Sequence, residues 1–82
     1  MDKDKLIKRL MATFLEELHE HVGALNRDLL ALEKGAAGAE RAERFRTLLR
    51  TLHSLKGAAR SVSLDVIQTA CHQLERALQL LV

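Results

Sequence analysis

The chain has 82 residues, with no proline, tryptophan or tyrosine, two phenylalanines, one cysteine and a formal net charge of +2 from thirteen Lys and Arg against eleven Asp and Glu. That length limits it to one domain or part of one, the residue types are those of helices, and the near balance of charge gives no global field for nucleic acid. A single cysteine excludes an internal disulfide or a cysteine-rich metal site and suits a reducing cytoplasm, and no apolar stretch approaches the ~20 residues that span a bilayer.

The first predicted helix covers about residues 4–34. Ile7, Met11, Phe14, Leu18, Val22, Leu25, Leu29 and Leu32 recur at steps of four and three, which defines one buried stripe. Asp2 or Asp4 can cap its start, and Gly35 can take the left-handed conformation at its end. Gly35-Ala36-Ala37-Gly38-Ala39 is short enough to turn the next helix back antiparallel.

The second predicted helix covers about residues 40–61, with Phe45, Leu48, Leu52, Leu55, Ala59 and Val62 as its seam. A polar row of Arg46, Arg50, His53, Gly57 and Arg60 shares that spacing but lies about 100° around the helix, so His53 flanks the core. Ser63 followed by Asp65 reads as a cap and a first-turn anion for a third helix over about residues 64–82. Its seam is Leu64, Ile67, Cys71, Leu74, Leu78 and Leu81, with Cys71 as a small buried hydrophobe.

These elements predict an all-α antiparallel bundle. Leu6, Leu10, Leu15, Leu30, Val66 and Leu80 form second apolar rows that three helices cannot cover. A fourth helix is therefore expected, either from sequence beyond Leu80-Leu81-Val82, where the chain stops without a cap, or from a second copy that makes a homodimer.

His53-Ser54-Leu55-Lys56-Gly57 carries the chemistry. Residues three and four apart are neighbours on a helix, so Lys56 offers charge and Gly57 offers room beside the imidazole, a combination that suits a phosphorylated histidine. Gly57 lowers helix stability by about 1 kcal/mol relative to alanine, which fits close approach by a partner. His72 and Glu75 share a face of the third helix, and His53 and Glu75 stand at similar distances from the intervening turn, so antiparallel packing brings them level. A carboxylate on one ring nitrogen fixes the tautomer and leaves the other nitrogen free to attack phosphorus. Glu75 is the expected orienter, Lys56 and His72 support the phosphoryl oxygens or the ring, and Arg50 and Arg60 with Gly57 favour docking of an acidic partner.

Competing readings are weaker. His19 and His21 are two apart and cannot chelate one metal, and Lys56 opposes a dication among His53, His72 and Glu75. Arg41, Arg44, Arg46, Arg50 and Arg60 are interrupted by Glu43 and lack aromatic platforms for a nucleic acid. A non-catalytic dimerisation or adaptor module, with a vestigial histidine site, is the alternative that the same bundle would serve.

The His-x-x-Lys-Gly motif, with His72 and Glu75 following, resembles the histidine phosphotransfer domain of CheA-type chemotaxis histidine kinases. Phe14-Leu15-Glu16-Glu17 through Leu29-Leu30-Ala31-Leu32-Glu33, and Phe45-Arg46-Thr47-Leu48, agree with it. The resemblance implies a four-helix bundle of which this chain holds the first three helices. It also implies that His53 accepts the γ-phosphoryl of ATP from a separate kinase domain, which binds the ATP and Mg, and passes it to an aspartate of a response-regulator receiver. His53, Lys56, His72 and Glu75 match the family's site position by position. Ser63 stands where the family commonly has glycine, which makes the turn after the second helix the point of departure. Nothing in the chain reads as a nucleotide pocket, so no cofactor is expected in this domain.

Overall fold

In a computed structural model, which describes residues 2–81, the chain forms three helices: α1 over Lys3–Glu33, α2 over Gly38–Ser61 and α3 over Asp65–Gln79. They make an all-helical antiparallel array about 52 × 20 × 15 Å in extent. The Asp2 carboxylate accepts the Asp4 N–H at 2.8 Å and caps α1. The third helix is shorter than expected and ends at Gln79; Leu80 and Leu81 form a turn, and Val82 lies outside the described residues.

Both inter-helix turns use the same hydrogen-bonded exit. After α1, Gly35 N–H donates to Leu32 C=O and Ala36 N–H to Ala31 C=O. After α2, Ser63 N–H donates to Arg60 C=O and Leu64 N–H to Ala59 C=O. These are Schellman motifs, and each needs one left-handed residue. Gly35 supplies it at φ +98°, whereas Ser63 adopts φ +60° with a side chain attached. Ser63 is therefore the closing residue of α2, not the cap of α3. Leu64 takes the cap position of α3 without a side-chain hydrogen bond, while Asp65 remains the first-turn anion. The glycine that the resemblance leads one to expect at this turn answers to a backbone requirement that Ser63 meets under strain.

The seam of α2 is as the periodicity indicates: Phe45, Leu48, Leu52, Leu55 and Ala59 are buried. Phe14 and Cys71 join Leu52, Leu55 and Ala59 in the central cluster, with Met11, Leu18, Leu25, Ile67 and Leu78 packed around it. On α1 the buried stripe is rotated from the expected one. Val22, Leu29 and Ile7 are exposed, and Asp28 is buried instead. A carboxylate is tolerated there because it is fully engaged: Thr47 Oγ1 donates to Asp28 Oδ2 at 2.7 Å, and Arg44 Nη1 donates to Oδ1 at 3.1 Å. That polar contact draws the 14-18-21-25-28 side of α1 toward α2. Leu74 on α3 and Leu81 in the turn after it are likewise exposed.

Helix α2 is the centre of the arrangement. It packs against both α1 and α3, whose Cα traces stay more than 8 Å from each other. All six second-row residues, Leu6, Leu10, Leu15, Leu30, Val66 and Leu80, are exposed. No helix among the described residues is long and apolar enough to cross a membrane.

Candidate functional site

The site is built on the α2–α3 seam. Leu52 and Leu55 are buried on either side of His53 in sequence, so α2 is pinned with His53 on its outer flank, and the imidazole is 75% exposed. Glu75 projects from α3, one turn after the buried Cys71, and only 12% of its side chain reaches solvent. Its Oε2 lies 3.8 Å from His53 Nδ1. This is an ion-pair separation beyond hydrogen-bond distance.

Lys56 reaches the same carboxylate. Its ammonium lies 3.0 Å from Glu75 Oε1, and its side chain is only 17% exposed. Oε1 is sealed from solvent and makes no well-aligned hydrogen bond, so Lys56 acts on it as a counter-charge. Lys56 thus holds the carboxylate whose other oxygen faces His53. A lysine one turn from a histidine can reach either a phosphoryl group or a neighbouring helix, and spacing alone does not choose between them.

Cys71 reports on the same pair. Burial pushes its thiol pKa up, the Glu75 charge adds to that, and Lys56 opposes it. The thiol is protonated and packed, as its seam position indicates.

The remaining candidates are arranged around this core. A Cβ built on Gly57 would meet no atom within 4 Å, so packing within the chain does not demand glycine, and the surface one turn past His53 is open. Arg50 is exposed and makes no hydrogen bond or ion pair among the described residues. Arg60 is tethered: with the Gln68 amide oriented to present its oxygen, that oxygen accepts from Arg60 Nε at 3.1 Å and Nη2 at 3.3 Å. Arg46 pairs with Glu43. His72 lies on α3 one turn before Glu75, exposed, with no hydrogen bond or ion pair among the described residues. The structure therefore pairs Lys56 with Glu75, brings His53 Nδ1 to 3.8 Å from the same carboxylate and leaves His72 beside them.

His19 is exposed, and His21 is half-buried with Nδ1 shielded and unbonded. Among the described residues no group of three or more His, Cys, Asp or Glu side chains is placed to hold a metal ion. The Asp28–Thr47–Arg44 network escaped the sequence reading, although Asp28 falls seven residues after His21 and fourteen after Phe14 on the same face.

Comparison with known proteins adds one positive finding. Residues 9–81 match the family model of the Hpt domain, and no solved structure matches the chain. Because the match runs from the second turn of α1 past the end of α3, it takes in every element that forms the site, and the chain belongs to the Hpt domain family, the phosphotransfer domains of two-component signalling.

Proposed function

We propose that His53 is the phosphoacceptor and that the chain is the phosphotransfer module of a chemotaxis-type, CheA-like histidine kinase system in the cytoplasm. The observation that carries this reading is an exposed imidazole whose Nδ1 faces a shielded carboxylate that Lys56 holds in place. With Nδ1–H turned to Glu75, the Nε2 lone pair points to solvent and attacks the γ-phosphorus of ATP bound, with Mg, on a separate kinase domain. An Nε2–P bond forms, the P–O bond to ADP breaks, and the charge left on the ring is balanced by Glu75. Transfer to a receiver aspartate breaks the same N–P bond. Arg50, Gly57 and Arg60 form the docking surface around His53, which suits the acidic mouth that a metal-dependent receiver presents, and His72 supports the ring or the phosphoryl oxygens.

Incubation with ATP and a cognate kinase domain tests the reading. Acid-labile, alkali-stable label on the wild type and none on His53→Gln is expected. Absence of label on both proteins favours the adaptor reading instead.

A further inference from the structure

The α2–α3 seam carries two polar rungs at one spacing. Glu75 faces His53, and Gln68, seven residues earlier on α3, meets Arg60, seven residues later on α2. Seven residues make about two helical turns, so Arg60 stands on the His53 side of α2, about 10.5 Å along its axis. Gly57 lies between them, with open space where a Cβ would stand. A partner that reaches the imidazole therefore has a clear approach to the guanidinium.

Arg60 is held at both ends. Its carbonyl oxygen accepts the Ser63 N–H at 3.1 Å in the turn that closes α2, and the Gln68 amide oxygen accepts from its Nε at 3.1 Å and its Nη2 at 3.3 Å. Gln68 is itself half-buried and follows Ile67, which packs against the core. One acceptor on that edge of the guanidinium leaves both Nη1 protons and the second Nη2 proton free, the pair of parallel N–H groups that a carboxylate takes in bidentate fashion. Among the described residues no carboxylate lies within ion-pair distance of Arg60, so its charge faces solvent uncompensated.

We propose that Gln68 is a positioning residue for receiver docking: it presents the end of the Arg60 guanidinium to an acidic side chain of the receiver, about 10 Å along the surface from the reacting imidazole. This rests on the phosphotransfer reading of His53 and narrows a basic surface to one fixed contact. Arg50, three residues before His53, has no such tether. An untethered arginine loses rotamer freedom when it binds, whereas Arg60 has already lost it. Arg60 therefore sets the register of the partner, and Arg50 adds attraction without direction. The two rungs divide the seam: Glu75 acts on the ring and Gln68 on the incoming protein.

The test uses the full chain, labelled on His53 by its kinase domain with ATP and offered to the receivers of its host; the receiver that drains label fastest is the probe. Gln68→Leu should raise the KM for that receiver about fivefold or more with kcat in place, and should add nothing in an Arg60→Ala background. Gln68→Glu keeps an acceptor for Arg60 but cancels its charge. In that variant the Arg60 Nε–H should remain protected from solvent exchange by NMR while KM rises as in Arg60→Ala, a combination that a merely structural role of Gln68 would not produce. An unchanged KM in Gln68→Leu, an equal rise with and without Arg60, or a Gln68→Glu protein that docks like the wild type overturns the proposal alone, since label still passes to the receiver. No label on wild-type His53, or none that passes to any receiver, removes the phosphotransfer reading and the proposal together.

Discussion

Lys56 Nζ approaches Glu75 Oε1 to 3.0 Å, while His53 Nδ1 stays 3.8 Å from the other oxygen of the same carboxylate. Glu75 is thus shared unequally: the lysine anchors it and the histidine consults it. Glu75→Gln keeps the shape but removes the charge that balances the phosphorylated ring. Phosphorylation of His53 should slow by about tenfold or more, equivalent to about 1.4 kcal/mol of lost transition-state stabilisation. An unchanged rate by rapid-quench labelling would remove Glu75 from the mechanism.

Lys56→Met separates anchoring from direct contact with phosphate. The methionine fills the same space but leaves Glu75 Oε1 shielded without its cation, which should lower stability by about 1–3 kcal/mol in urea titration. Phosphorylation should slow in parallel with Glu75→Gln, and the double variant should add little beyond either single one. Fully additive rate losses would mean that Lys56 acts on the phosphoryl group independently of Glu75.

Asp28→Ala strips Thr47 and Arg44 of their shared acceptor at the α1–α2 seam. A loss of about 1–3 kcal/mol is expected from urea denaturation, with the labelling rate of the folded fraction unchanged, since the seam lies on the opposite side of α2 from His53. A stability within experimental error of the wild type would show that water replaces the network.

Ser63→Gly should raise stability by about 1 kcal/mol, because the left-handed backbone at φ +60° then carries no Cβ. For a domain of this size that corresponds to a melting temperature about 4–8 °C higher. Ser63→Val should move it the opposite way, and equal melting temperatures for the two variants would contradict the strained turn.

Cys71 supplies a pH signature. Burial raises its pKa above the ordinary 9.0, so the folded chain holds the thiol proton to higher pH than the unfolded chain does. Fewer protons on the unfolded state means that stability falls as pH rises from the ordinary thiol value toward the raised one. Cys71→Ala should flatten that alkaline decline, at the expense of some packing at neutral pH. Thiol modification of the wild type should likewise track global unfolding; rapid labelling of the native protein would show that Cys71 is open.

Much of this arrangement was legible in residue spacing, for physical reasons that differ by helix. On α2 both neighbours press on one seam, so a single apolar row from Phe45 to Ala59 names the buried face. On α1 only one neighbour is present, and two apolar rows compete; the choice falls to Asp28, whose partners Arg44 and Thr47 are nineteen residues or fewer away in sequence but on another helix. The levelling of His53 with Glu75 followed from helical rise alone, because the intervening turn is short. The Lys56–Glu75 contact was not legible in spacing, since four flexible bonds let the lysine ammonium reach several neighbours of His53. Ser63 was misplaced because serine favours both helix starts and local turns, and the bonds to Ala59 and Arg60 are what distinguish the two.

Among the described residues, α2 alone has backbone neighbours on two sides, while α1 and α3 share only the side-chain core around Phe14 and Cys71. Opening either outer helix exposes part of that shared core but leaves α2 one backbone neighbour. Amide hydrogen exchange should therefore be slowest around Leu48–Ala59 and faster in α1 and α3, with partly open forms that retain the helical turn bearing His53. The residue that meets the solvent most fully in the site is thus carried by the backbone that surrenders its structure last.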